Sequence, residues 1–172
     1  MKKVFFPFVL LFTAGIIFTA YGNSRTTDAG VEINGVIWAT RNLDAPGTFA
    51  QNPHDAGMFF EWTSDNPCPR GWRVPTQQEL QSLVNSGSTW TTRNGVNGRV
   101  FGTATRNQIF LPAAGWRRAG GRLTNVDTDG IYWSSAQNGS FVDRYLGFNS
   151  TGSNMLTGVN LAYGFSIRCV AE

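Results

Sequence analysis

The chain has 172 residues, enough for one domain with a substantial hydrophobic core. Its formal net charge is +3, but Lys2 and Lys3 stand at the N-terminus, and the remainder carries 12 arginines against 11 acidic residues. These arginines are scattered, with Arg117-Arg118 as the only adjacent pair, so the clustered basic charge of a nucleic-acid-binding protein is absent from the sequence. We expect no nucleic-acid partner.

Residues 1–22 predict a secretory signal peptide. A charged start precedes the apolar run from Val4 to Ala20, and Ala20-Tyr21-Gly22 is a small-x-small cleavage site. The alternative is an uncleaved membrane anchor, although the run is at the lower length limit for a span and Pro7 interrupts it. We expect an exported protein, secreted or held at the cell surface, with membrane contact only through this segment if it is uncleaved.

Residues 23–30 predict a polar, disordered lead-in, and residues 31–172 predict a single domain. The run from Val31 to Ala39 predicts a β-hairpin, because two short β-prone stretches flank Asn34-Gly35, the pair that favours a type I′ turn. The Gly-, Thr- and Asn-rich residues 86–108 predict loops with one or two weak strands, around Trp90 and Val100-Phe101.

A helix is predicted over residues 76–85. Thr76 and Glu79 have the spacing of a capping box, in which each side chain bonds the other residue's backbone N–H. Three apolar residues then share one helical face, and Asn85-Ser86-Gly87 predicts the end; the apolar residues are Leu80, Leu83 and Val84.

Four apolar or aromatic runs in the second half predict further strands, separated by polar stretches: residues 109–116, 131–135, 144–148 and 164–170. The fold class is therefore α+β, with short helices, several short antiparallel strands and long loops, because strands and helices do not alternate.

The two cysteines, Cys68 and Cys169, predict one structural disulfide in an exported chain. The alternative is a free catalytic thiol, which would need a base, and the sole histidine is His54 in a polar loop. One histidine and two distant cysteines lack the ligand spacing of a zinc site.

Several sequence blocks resemble the Fibrobacter succinogenes major paralogous domain family, which occurs on secreted and surface proteins of Bacteroidetes. The similarity runs from Val31 to Val170, with the blocks in the family's order. The resemblance implies a C-type-lectin-like α+β fold of the formylglycine-generating-enzyme branch, in which a disulfide commonly links a helix to the last strand. The blocks are Asn34-Gly-Val-Ile-Trp-Ala-Thr-Arg-Asn-Leu43, Phe60-Glu-Trp62, Cys68-Pro-Arg-Gly-Trp-Arg-Val-Pro-Thr76, Leu111-Pro-Ala-Ala-Gly-Trp116, Tyr132-Trp-Ser-Ser135 and Gly164-Phe-Ser-Ile-Arg-Cys-Val170.

The segment of about residues 111–170 is similar to the variable regions of proteins diversified by retroelements. Such regions keep framework blocks and vary the positions between them, so the resemblance implies that the intervening residues contact ligand. Those positions are Arg117, Arg118, Ile131, Gln137, Phe141, Asp143, Arg144, Met155, Leu156, Thr157, Leu161 and Tyr163. Trp116, beside the arginine pair, is a further candidate. The alternative for Phe141, Leu156, Leu161 and Tyr163 is an ordinary place in the core.

Asn125, Asp127 and Asp129 have the spacing of the first half of a calcium loop, but Ala136 stands where that loop needs a glutamate. We expect no cofactor, with calcium as the alternative. The predicted function is a non-catalytic, ligand-binding module for a surface protein or glycan. The alternatives are a formylglycine-generating-type enzyme and a structural subunit of a surface assembly.

Overall fold

The structure is a computed structural model that describes residues 25–103, 107–135 and 144–172. Within these ranges the chain forms one α-helix and twelve short β-strands. The helix is α1 (Gln77–Asn85), and the strands are β1 (Val31–Ile33), β2 (Val36–Trp38), β3 (Trp72–Arg73), β4 (Ser88–Arg93), β5 (Val96–Phe101), β6 (Ile109–Pro112), β7 (Trp116–Arg117), β8 (Leu123–Thr124), β9 (Gly130–Trp133), β10 (Arg144–Asn149), β11 (Gly152–Thr157) and β12 (Val170–Ala171).

The strands form four small antiparallel sheets, with strand orders β1-β2-β12-β3, β11-β10-β9, β4-β5-β6 and β7-β8. The prediction of an α+β chain with short antiparallel strands is therefore confirmed. The sequence predicted helices in the plural, whereas the described residues contain one. Within the same ranges, no helix has the length and apolar character required to cross a membrane.

Two Asn-Gly pairs make the hairpin turns at β1-β2 and β4-β5. Asn34 and Asn94 adopt positive φ angles of 52° and 49°, and the glycines that follow them also have positive φ angles, of 80° and 81°. The first hairpin was predicted. The second contains the two weak strands predicted around Trp90 and Val100-Phe101, but β4 and β5 are longer than expected because they pair over six residues each. Gly98 interrupts the apolar pattern of β5 where the Phe110 ring packs against its backbone, and this hid the first half of the strand.

The helix begins with the predicted capping box. The backbone N–H of Glu79 donates to Thr76 Oγ1 at 3.2 Å, and the backbone N–H of Thr76 donates to Glu79 Oε2 at 2.7 Å. Arg73 also donates two hydrogen bonds to the Glu79 carboxylate, at 2.6 and 2.8 Å. Mainly through these Arg73 bonds, the pKa of Glu79 falls to about 2.

The N-terminal lead-in is not disordered where the structure describes it. The buried carboxylate of Asp28 accepts hydrogen bonds from the backbone N–H groups of Gly30 and Thr40, both at 2.9 Å, and from Arg41 Nε at 3.0 Å. Burial alone would raise the pKa of Asp28, but these bonds outweigh it and the pKa is lowered. Asp28 therefore fastens the lead-in to the segment after β2.

The sheet β9-β10-β11 separates two hydrophobic clusters, because alternate residues of its strands point to opposite faces. The first core cluster lies on the helix side and contains Ile33, Trp38, Leu80, Leu83, Phe101, Ile109, Leu111, Ala113, Tyr132, Leu146, Phe148 and Val170. The second core cluster lies on the other face and contains Ala39, Leu43, Phe49, Cys68, Trp72, Ile131, Trp133, Phe165, Ile167 and Cys169.

The predicted disulfide between Cys68 and Cys169 is present in the second core cluster. The two residues are 101 positions apart, and closing a loop of that length stabilises a fold by roughly 4–5 kcal/mol in the chain-entropy account. The bridge joins the segment before α1 to the end of the chain, where β12 inserts between β2 and β3.

The last run, residues 164–170, was predicted as one strand, but only Val170 belongs to a strand of the structure. The rest is extended chain held by single bridges on two sides. Phe165 exchanges two backbone hydrogen bonds with Phe60, each 2.9 Å, and Ser166 bonds to the backbone of β9. Because this segment has a different partner on each side, it packs against β9 without forming a regular ladder.

A fully buried arginine, Arg168, connects the two halves of the core. Its guanidinium donates to Asn42 Oδ1 at 2.8 and 3.0 Å, to the Ala39 carbonyl at 3.1 Å and to the Phe110 carbonyl at 3.0 Å. Burial lowers the pKa of Arg168 to about 10. The neighbouring Tyr132 hydroxyl donates to the Pro112 carbonyl at 2.9 Å, and burial raises its pKa to about 12.

Replacing Glu79 by glutamine is expected to lower the free energy of unfolding by about 1–2 kcal/mol at neutral pH, because the ion pair with Arg73 is lost and the cap is weakened. The folded pKa of Glu79 lies below its ordinary value, so its contribution is present above pH 4.5 and is lost as the pH falls towards 2. Urea unfolding of the parent chain and E79Q at several pH values should show the difference shrinking over that range. A difference that is the same at pH 2 and at pH 7 would contradict the assignment.

Replacing Arg168 by methionine is expected to lower the free energy of unfolding by at least about 3 kcal/mol, because three buried oxygen acceptors lose their donors. The matched control is Arg70→Met, since Arg70 is exposed, and its replacement should change stability by less than about 0.5 kcal/mol. Urea unfolding measures both. Equal losses in the two variants would show that the Arg168 network does not hold the core.

Candidate ligand-binding site

A cavity of about 380 Å³ opens on the face of the sheet that carries the second core cluster. We call it the primary cavity. Four of the positions predicted to contact ligand line it: Trp116, Ile131, Leu156 and Tyr163. The other lining residues are Asp129, Tyr145, Gly158, Val159, Asn160 and Phe165.

These four residues come from three strands and one turn. Trp116 begins β7, Ile131 lies in β9 and Leu156 lies in β11. Tyr163 closes a turn in which its backbone N–H donates to the Asn160 carbonyl at 2.9 Å. The sequence separation between them means that only the folded chain creates this lining.

Gly147, in the central strand β10, leaves space for two of the lining side chains. It pairs with Ile131 on one side and with Asn154 on the other. A Cβ atom at Gly147 would stand 2.3 Å from Leu156 Cδ1 and 3.5 Å from Ile131 Cδ1. The missing side chain therefore lets the two apolar residues approach each other across β10.

An aromatic wall forms one side of the primary cavity. The Phe165 ring contacts Tyr145 at 5.2 Å between centroids and stacks on Trp133 at 4.1 Å. Trp133 is fixed in turn, because its indole Nε1 donates to the Phe60 carbonyl at 2.6 Å. Burial raises the pKa of the Tyr145 phenol. This wall is rigid, and its supporting indole is fully bonded.

The lining side chains lie at the border between core and surface. Ile131 is 8% exposed and belongs to the second core cluster, whereas Leu156 is 39% exposed. Trp116 and Tyr163 are partly buried against the same cluster. Ligand contact and core packing are thus not exclusive alternatives for these residues, since each side chain packs with one part and faces the cavity with another.

The lining carboxylate and the lining amide each accept one hydrogen bond within the protein. The Asp129 carboxylate accepts a hydrogen bond from Asn125 Nδ2 at 2.6 Å, and Asn160 Oδ1 accepts one from the Ala162 backbone at 3.0 Å. The remaining surface is aromatic and aliphatic, so the cavity presents mainly apolar contact area to a ligand.

The two adjacent arginines do not line the primary cavity. Arg117 extends over Gly164 and reaches Glu61, with 3.3 Å between Nη2 and Oε1. Arg118 is exposed on the β7-β8 hairpin, and its Nε donates to Thr124 Oγ1 at 3.1 Å. Arg118 remains within the same exposed hairpin as Trp116, whereas Arg117 is directed away by its ion pair.

Met155 lies on the opposite face of the sheet from Leu156. It packs against the first core cluster and borders a groove beside α1, so the structure does not bring it together with the cavity. Thr157 is exposed at the end of β11. Leu161 is partly buried against the second core cluster, and its carbonyl accepts from the Trp62 backbone at 3.3 Å.

Arg144 is placed only by its position at the start of β10. The other three predicted contact positions lie outside the described residues: Gln137, Phe141 and Asp143.

Two major lining residues, Tyr145 and Phe165, were missed by sequence reasoning because they belong to framework runs. The alternation of side chains along β10 could have identified Tyr145 as a lining residue. Leu146 and Phe148 enter the first core cluster, so Tyr145 must face the other side, where the cavity lies. For Phe165 the decisive contact is with Phe60, which is distant in sequence.

The predicted calcium candidates form a compact turn. Asn125 and Asp127 adopt positive φ angles, and the backbone N–H groups of Thr128 and Asp129 donate to the Asn125 carbonyl. Among the residues that the structure describes, no group of three or more His, Cys, Asp or Glu side chains is placed to hold a metal ion. Hydrogen bonds within the turn account for the spacing of these residues.

No family model matches the chain, and neither curated proteins nor solved structures give a match. The interpretation of the primary cavity therefore rests on the geometry and chemistry of this chain.

Proposed function

We propose that this chain is an exported, non-catalytic ligand-binding module whose binding site is the primary cavity. The observation that carries the proposal is that Trp116, Ile131, Leu156 and Tyr163 line one concave surface. Their positions were selected from the sequence without reference to one another in space. A volume of about 380 Å³ lies within the range of roughly 300–1,000 Å³ typical of ligand sites.

The lining favours an apolar side chain of a surface protein as the ligand. Tryptophan and tyrosine supply large contact areas with little loss of conformational entropy, and they are enriched among residues that dominate binding energy. A glycan is the alternative ligand, and it would have to bond the hydroxyls of Tyr145 and Tyr163, since the lining is otherwise mainly apolar and Asp129 and Asn160 each already accept one hydrogen bond. Arg118, exposed on the same hairpin as the lining residue Trp116, would favour a ligand with a nearby acidic residue.

A C-type-lectin-like fold of the formylglycine-generating-enzyme branch remains our proposal for the architecture. It is supported by the disulfide, which joins the segment before the helix to the residue preceding the last strand. Membership of the Fibrobacter succinogenes major paralogous domain family, and diversification of residues 111–170 by a retroelement, belong to the same proposal. Three of its implied variable positions, Ile131, Leu156 and Tyr163, meet at one cavity together with Trp116, and diversification of a binding site would require such clustering.

Two further features support this class of function. Both cysteines are joined to each other, whereas a formylglycine-generating-type enzyme would need reactive thiols. A disulfide also suits an oxidising, extracytoplasmic compartment, in agreement with the leader-like N-terminus. No observation on the described residues favours the structural-subunit alternative.

The proposal is tested by selecting a phage-displayed random peptide library against the chain and measuring the affinity of the enriched peptides. We expect these peptides to carry aromatic or aliphatic residues. Leu156→Asp should weaken their binding by at least tenfold, because it removes apolar contact and places a charge at the cavity mouth.

The matched control is Leu123→Asp. Leu123 is 49% exposed, more than Leu156, but lies outside the primary cavity on the β7-β8 hairpin. Its replacement should change the affinity by less than twofold. Equal effects of the two variants, or failure to enrich any peptide, would contradict the proposed site.

A further inference from the structure

A second cavity, also about 380 Å³, lies beyond the aromatic wall. Residues that line it include Trp62, Asp65, Val74, Trp133, Ser135 and Ile167. Trp133 lines this cavity while the Phe165 ring stacked on it lines the primary cavity, so one aromatic pair borders both. We call it the secondary cavity, and none of the predicted ligand-contacting positions lines it.

The floor of the secondary cavity is aromatic and aliphatic. Trp133 and Ile167 are nearly completely buried, whereas Trp62 and Val74 are partly exposed. The Trp62 backbone is held by its hydrogen bond to the Leu161 carbonyl. Trp62 thus lines the cavity from a hydrogen-bonded segment while packing partly against the second core cluster, whereas the indole of Trp133 is already covered by Phe165 and bonded to Phe60.

Some hydrogen-bonding groups at the rim of the secondary cavity are already bonded within the described part of the protein, and others are not. The charged groups Arg73 and Glu61 are paired with Glu79 and Arg117 respectively. By contrast, the side chains of Ser64, Asp65 and Ser135 make no hydrogen bond to any other described residue. Two hydroxyls and one carboxylate are thus left for a ligand beside the Trp62 indole.

We infer that the secondary cavity binds a neutral saccharide unit. A pyranose ring presents C–H groups on its faces and hydroxyls at its edge, and these match an indole surface bordered by free hydroxyl and carboxylate acceptors. The Asp65 carboxylate lacks a cationic partner in the described structure and disfavours an anionic ligand. An organic cation is the competing class, but with one indole already covered there is only one open aromatic face.

This inference is independent of the proposed function, and a single labelled sample reports on both cavities. Each of the six tryptophans is replaced by 5-fluorotryptophan, and the ¹⁹F resonances are assigned by single Trp→Phe variants. The probes are the methyl glycosides of glucose, galactose, mannose and N-acetylglucosamine at millimolar concentrations, with choline chloride as the cationic comparison. We expect at least one glycoside to shift the Trp62 resonance saturably and to leave the Trp116 resonance unchanged.

Asp65→Ala should weaken the binding of that glycoside by at least fivefold, because a hydrogen-bond acceptor is lost. Glu32→Ala is the matched control, since Glu32 is an exposed carboxylate on β1 outside the secondary cavity, and it should have no effect. The inference is overturned if no glycoside shifts Trp62, if only choline does so, or if D65A and E32A behave alike. A shift of Trp116 alone would also overturn it and would instead assign sugar binding to the primary cavity.

Discussion

The guanidinium of Arg168 is the interaction on which the rest of the structure depends. A buried charge is unfavourable unless its hydrogen bonds are satisfied, and here they go to Asn42, Ala39 and Phe110 rather than to a carboxylate. Those oxygens belong to the segment after β2 and to β6, so the arginine fixes both relative to the end of the chain. The adjacent disulfide at Cys169 closes the same region covalently. Small sheets that share few ladder hydrogen bonds are thereby held in one arrangement by a polar network and a single covalent bridge.

This framework explains how surface cavities are possible in a domain with so little regular structure. The sheet β9-β10-β11 sends Tyr132, Leu146 and Phe148 into the first core cluster, where they are buried. Its other face supports the stacked pair of Trp133 and Phe165, which borders both cavities. Because the anchoring contacts lie behind this wall, the exposed Leu156 can differ with little effect on the core, whereas Ile131 is itself part of the second core cluster. A rigid scaffold of this kind limits the entropy lost on binding.

Local sequence signals predicted what depends on neighbours in the chain. The capping box located α1, Asn34-Gly35 located the first hairpin, and two cysteines in a chain expected to be exported predicted the disulfide. Features that depend on distant partners were missed. Asp28 is held by hydrogen bonds from Thr40 and Arg41, and the first half of β5 is disguised by a glycine that accommodates Phe110. For the site, the resemblance supplied three lining positions, and the place of Trp116 beside the arginine pair supplied the fourth. The resemblance also grouped Met155 with Leu156, although adjacent residues of a strand face opposite sides.

The central claim is that a constant framework holds a primary cavity whose lining is open to variation. The most direct measurement is the DNA sequence on either side of the coding region. The account predicts a near-copy of the segment encoding residues 111–170 beside a reverse-transcriptase gene. Its differing codons should include those for Ile131, Leu156 and Tyr163, and should spare the codon for Arg168. Absence of any such copy, or differences concentrated in the codons of buried framework residues, would contradict the claim.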